Sequence, residues 1–187
     1  MRKFVLVPDS FKGTLSSAQV CAAMEAGIRA VLPEAEVVSL PVADGGEGSA
    51  DAFLAALGGE RVSLPVTGPE GRTLDGFYAL LPDGTAVVEM AAAAGLPQVT
   101  GDKNPERTTT FGVGELLRHA ARRGARQAVM CLGGSATNDG GCGAAAACGV
   151  RFYNRAGASF VPVGGTLGEI ERVDLASLDP AVAGMPI

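Results

Sequence analysis

Apolar and polar positions along this chain change their rhythm several times, and each change predicts an element. Residues 3–8 (KFVLVP) form a short apolar run of buried-strand length, followed by a polar turn at residues 9–14 (DSFKGT). Ser16 and Gln19 carry a capping-box signature for a helix to about Leu32, with Val20, Ala23, Met24, Gly27, Ile28 and Val31 on one face. Residues 36–40 (EVVSL) read as a second strand. A second polar stretch, residues 42–49 (VADGGEGS), then leads into a short helix that stops at Gly58-Gly59. Two strand-turn-helix units in succession favour a parallel sheet with crossover helices.

After Gly59 the texture changes. Residues 61–67, 72–81 and 86–90 are strand-like runs joined by GPEG and PDGT, so this part predicts antiparallel hairpins and places a domain boundary near residues 60–66. Helical period returns at residues 110–123, where Thr109 or Thr110 can cap and Val113, Leu116, Leu117 and Ala120 form the apolar stripe. A strand at residues 128–132 (AVMCL), a helix from Gly143 and a strand near residues 150–153 complete the pattern. From Arg155 turn residues alternate with short apolar runs and no closing element is evident, so the chain is expected to be a piece of something longer.

The loop between the strand at 128–132 and the following helix is the richest stretch in chemistry. Residues 132–143 (LGGSATNDGGCG) hold five glycines, two hydroxyls, an amide and a carboxylate. In open α/β sheets ligands bind at such strand-to-helix handovers. Glycines admit a phosphate to the backbone N–H groups, and the helix N-terminus adds partial positive charge. Ser135 and Thr137 can donate hydroxyls, Asn138 can orient a substrate, and Asp139 can hold Mg²⁺ or accept a proton. The alternative is a tight turn whose glycines serve packing.

Two earlier loops share this style. Ser10 and Lys12 follow the first strand; Asp44, Gly45, Gly46 and Glu47 follow the second. If the two strands are neighbours, one cleft collects Lys12, Asp44 and Glu47. Lys12 suits a phosphate or carboxylate, or is a solvated lysine. Asp44 and Glu47 can share a metal-water shell, act as acid and base, or answer a helix dipole. Arg107 and Thr108, just ahead of a helix, offer a carboxylate clamp, or an exposed arginine beside a capping threonine. His119 falls on the polar side of its helix.

Composition narrows the partners. The 187 residues are 47% apolar and 19% charged, with a net charge of −5 and no basic run, which argues against nucleic acid. The N-terminal apolar run is too short for a signal or membrane segment, so no membrane partner is expected and the expected location is the cytoplasm. Cys21, Cys131, Cys142 and Cys148 lack paired metal-site spacing and read as reduced core thiols. No P-loop, no G-x-G-x-x-G after a strand and no G-x-S-x-G elbow occurs.

Four motifs together carry a resemblance. VPDSFKGTLS at 7–16, PVADGGEGS at 41–49, TTTFGVGELL at 108–117 and LGGSATNDGGCG at 132–143 resemble, in order and spacing, the bacterial glycerate kinases that lack a P-loop. The resemblance extends over essentially the whole chain. It implies an α/β enzyme with a Rossmann-like first domain, here residues 1–64, and a second mixed α/β domain, here residues 65–187 and cut short. It further implies ATP- and Mg²⁺-dependent phosphorylation of D-glycerate between the domains. Site residues matched by position are Asp9, Ser10 and Lys12; Asp44, Gly45, Gly46 and Glu47; and Ser135, Thr137, Asn138 and Asp139. From their chemistry, Lys12 and the glycine backbones are expected to bind anions, Asp44 or Asp139 to serve as metal ligand or base, and Arg107 with Thr108 to receive the glycerate carboxylate. A non-catalytic module for small anions or nucleotides is the competing expectation.

Overall fold

A computed structural model describes residues 2–187. Strand β1 (Lys3–Leu6) pairs in parallel with β2 (Glu36–Ser39), and helix α1 (Ser17–Val31) crosses between them. The capping box at Ser16 and Gln19 forms as the sequence predicts. Helix α2 (Ser49–Leu57) follows the second polar loop and ends at Gly58, whose N–H bonds back to Leu54.

The larger sheet has the order β3-β4-β5-β6, from β3 (Glu60–Thr67), β4 (Thr73–Leu80), β5 (Thr85–Glu89) and β6 (Gln127–Cys131). The first three strands are antiparallel, and β5 and β6 are parallel. Between β5 and β6 run the four-residue helix α3 (Ala91–Ala94) and helix α4 (Phe111–Arg122). After β6 come α5 (Cys142–Ala147), a small antiparallel sheet of β7 (Arg151–Tyr153), β8 (Ser159–Phe160) and β9 (Arg172–Asp174), and α6 (Pro180–Ala183).

Strand β5 is buried along its whole length, and its alternation sorts two cores. Ala86 and Val88 pack with Val113, Leu116, Leu117 and Ala120 of α4, the stripe the sequence predicts. Val87 points to the other face, where it packs with Ala50 of α2, Ala79, Leu81 and Cys131. Glu89 shares the parity of Val87, so the α2 face receives a carboxylate at its end. Gly114 of α4 lies against Ala144 of α5 too closely to admit a Cβ.

One expectation is corrected. The predicted face of α1 is mostly uncovered: among its members Val20 is buried, but Met24 is 43% and Val31 78% exposed. A two-stranded sheet is too narrow to cover the stripe. Strand β3 runs through residues 64 and 65 and pairs with β4 without interruption from Glu60 to Thr67. The change of architecture lies at Gly58-Gly59, where positive φ at both residues turns the chain. Among the described residues no helix is long and apolar enough to cross a membrane.

Candidate active site

Parallel pairing decides where the loops gather. β1 and β2 are parallel, so the loops after their carboxyl ends leave from one edge; the same holds for β5 and β6, whose last residues Glu89 and Cys131 are register partners. Ser17, at the start of α1, ties the first two loops together. Its hydroxyl donates to the Pro8 carbonyl (2.7 Å) and accepts from the Val42 N–H (3.0 Å). The second and third loops touch directly, with the Gly133 N–H donating to the Gly45 carbonyl at 2.8 Å. A Cβ on Gly133 would stand 2.7 Å from the Gly46 Cα, so the contact needs glycine.

The first two loops and the α2 face of the larger sheet enclose a cleft of about 600 Å³. Ser10 and Lys12 line it from the first loop and Glu47 from the second, with Arg61, Phe77, Glu89 and Ala91 on the sheet side. The Lys12 ammonium lies 3.6 Å from the carboxylate of Asp44, which does not itself line the cleft. Both side chains are more than half exposed, and the other Asp44 oxygen accepts the Gly46 N–H at 3.1 Å. Lys12 and Glu47 thus line one cleft, whereas Asp44 meets it only through its pair with Lys12.

The third loop is organised differently from expectation. Asp139 is 1% exposed, and its carboxylate accepts four hydrogen bonds. One oxygen takes the N–H and hydroxyl of Thr110 (2.8 and 2.9 Å) and the Gly143 N–H (3.1 Å); the other takes the Gly141 N–H (3.0 Å). Asp139 therefore fills the starts of both α4 and α5, where the sequence reading placed a bound anion. Thr110 does not cap its own helix; its oxygen accepts the Ala144 N–H of α5. Thr109 supplies the local cap, accepting the Phe111 N–H.

Ser135, Thr137 and Asn138 stand outside the cleft lining. The Ser135 and Thr137 hydroxyls bond each other at 2.7 Å, and Asn138 is exposed. Thr108 is buried and donates to the Ala136 carbonyl (2.7 Å), bracing the loop. Arg107 is exposed, on a turn closed by its N–H on the Asn104 carbonyl, and it does not line the cleft. The guanidinium in the cleft belongs to Arg61, paired with Asp51 and stacked 3.5 Å from the centre of the Phe77 ring. His119 is engaged as well, its Nδ1 lying 3.0 Å from the hydroxyl of buried Tyr78.

Sequence reasoning missed Glu89 and Ser17. Glu89 is 1% exposed and accepts the Ala50 N–H at 2.5 Å and the Gly48 N–H at 3.4 Å. Burial pushes its pKa above the ordinary carboxylate value, and the two N–H donors offset this only in part. Its signal in the sequence is a single acid ending the apolar run TAVVE.

Among the described residues no three histidines, cysteines or carboxylates converge as a metal cage. Asp44 and Glu47 are exposed carboxylates of the second loop, and Asp51 and Asp75 are exposed carboxylates that line the cleft.

The comparison with known proteins agrees with the four motifs. The model of the glycerate kinase family matches residues 4–187. The chain belongs to the glycerate kinase family. It is 46% identical to a glycerate kinase of Bacillus cereus over 179 residues, which are 95% of this chain and 47% of that protein. A glycerate 2-kinase of Escherichia coli is 43% identical over 95% of this chain and 47% of its own length. The fold matches the crystal structure of a putative glycerate kinase 2 from Salmonella typhimurium LT2 with a TM-score of 0.81 and 41% identity, covering 98% of this chain and 50% of that one. The chain spans about half the length of the family members it matches.

Proposed function

We propose that the polypeptide carrying this chain transfers a phosphoryl group from Mg-ATP to a hydroxyl of D-glycerate, and that the cleft between the first two loops and the α2 face of the sheet is where this occurs. The observation that carries the reading is the exposed Lys12–Asp44 pair, whose lysine lines a 600 Å³ cleft in a chain of this family. Phosphoryl transfer rests on positioning and charge stabilisation more than on covalent chemistry. The pair supplies both requirements. Lys12 is a cation for phosphate or carboxylate oxygens, and Asp44 keeps one oxygen free of backbone donors for a metal ion or the substrate hydroxyl.

Asp139 is assigned here to holding the third loop in shape, since its carboxylate is already filled by donors of α4 and α5. The hydroxyls of Ser135 and Thr137, Asn138, and the Gly45 and Gly46 backbone belong to the rim that the second and third loops share. Arg61 and Lys12 are the cations that line the cleft, while Arg107 with Thr108 borders the third loop. Asp44 would hold Mg²⁺, which would supply charge neutralisation to the phosphates.

The test is a coupled assay of ADP release by the complete polypeptide, with D-glycerate and Mg²⁺ each present or withheld. Release that requires both is expected. A folded protein that binds Mg-ATP or glycerate without releasing ADP is a binding module, and the proposal then fails.

A further inference from the structure

Glu89 is a buried carboxylate at the end of the most buried strand of the molecule, and the roles above leave it unused. Alternation along β5 aims it at α2, and its oxygens meet the N–H groups of Gly48 and Ala50. Those amides open α2 and close the loop that carries Asp44 and Glu47. Glu89 is thus the link by which the larger sheet grips that loop, and its side chain also lines the cleft. We propose that Glu89 is a positioning residue: its carboxylate fixes the Gly48 and Ala50 amides and so holds Asp44 and Glu47 in place beside the cleft. The proposal rests on the kinase reading for its consequence, though the clasp itself can be measured without it.

Stability alone is a poor reason for a carboxylate here. Asp51 of α2 and the Cys131 thiol of β6 are neighbours of Glu89, and Arg61 of β3 is the cation nearby. Its pKa is raised in the folded state, first by burial. The linked stability is therefore full below the unfolded value and is lost as pH rises through the folded one. Burial thus disfavours the charged form of Glu89. A group kept under those terms is explained by what it holds.

The experiment compares the complete polypeptide with its Glu89→Gln and Glu89→Ala forms in three readouts at neutral pH: melting temperature, amide hydrogen exchange, and kcat and KM for D-glycerate. Glu89→Gln is expected to melt somewhat lower than the unaltered protein, because its amide nitrogen cannot accept and leaves one of the two N–H groups without a partner. Its Gly48 and Ala50 amides are expected to exchange about tenfold faster, with the β4 and β5 amides unchanged, because one acceptor oxygen serves where two did. Its kcat/KM is expected to fall about tenfold, as for loss of a group supporting a site residue. Glu89→Ala should show the same effects enlarged. A Glu89→Gln protein with unaltered local exchange and kinetics overturns the proposal while leaving the kinase reading intact, and so does a lowered melting temperature with unaltered kinetics. Accelerated local exchange in a protein without turnover sinks the kinase reading and supports the clasp.

Discussion

Two buried carboxylates, Asp139 and Glu89, sit at helix starts that could have been left open to an anion. Each is held by backbone donors far away in sequence: Thr110 is 29 residues from Asp139, and Ala50 is 39 residues from Glu89. Asp139→Ala would strand the N–H groups of Thr110 and Gly143 inside the protein. An unmade buried bond costs about 1–3 kcal/mol, so a loss of about 3 kcal/mol is expected in urea unfolding. A variant as stable as the parent would show that Asp139 is not the brace of α4 and α5. Gly133→Ala is expected to push the second and third loops apart and cost about 1–3 kcal/mol, because its new methyl meets the Gly46 backbone rather than a flexible side chain. The same urea titration reads it. These residues also mark where the sequence was legible. That residues 132–143 mattered was plain from their composition, and Lys12 with Asp44 followed from parallel strands. The inward turn of Asp139 was not legible, because two of its four donors, the N–H and hydroxyl of Thr110, come from another element. Glu89 was missed for the same reason.

Elements formed where local signals and tertiary packing agreed. The α4 stripe has both, and Val113 and Leu116 are completely buried. The α1 stripe has the period without the cover. Its helix forms because Ser16 and Gln19 cap it, yet Val31 remains 78% exposed. A periodic pattern tells which residues share a face and not what lies against it. Truncation should separate the two cases. Leu116→Ala is expected to cost about 2–5 kcal/mol and Val31→Ala less than about 0.5 kcal/mol, read as shifts in the urea midpoint. Equal losses would mean that the α1 face is covered as thoroughly as that of α4. The hairpins β3-β4 and β4-β5 came through within a residue or two, since GPEG and PDGT are turn chemistry in their own right.

Across the whole molecule, order should be graded from the four-stranded sheet outwards. β4 and β5 are interior strands between two cores, while β1 and β2 form a two-stranded sheet with Val5 more than half exposed. Two strands alone are marginal in water. In the 187-residue polypeptide, amides of β1 and β2 are therefore expected to exchange with solvent faster than those of β4 and β5 by at least about a hundredfold. Uniform protection across both sheets would contradict this gradient. The gradient bears on function because Lys12 and Asp44 hang from the less protected sheet, whereas Glu89 belongs to the more protected one. Ser17, the Gly45–Gly133 contact and Glu89 are the joints that carry order from one to the other.

The central claim is that Asp44, beside Lys12, serves phosphoryl transfer to glycerate. Its most direct test is the rate of glycerate-dependent ADP release from Mg-ATP by the complete polypeptide and by its Asp44→Asn form. Asp44→Asn should keep the parent's melting temperature, since the residue is exposed, and should lose at least about a hundredfold in kcat, the scale for removing one positioned acid-base or charge-stabilising group. Undiminished turnover in a folded Asp44→Asn protein would contradict the account.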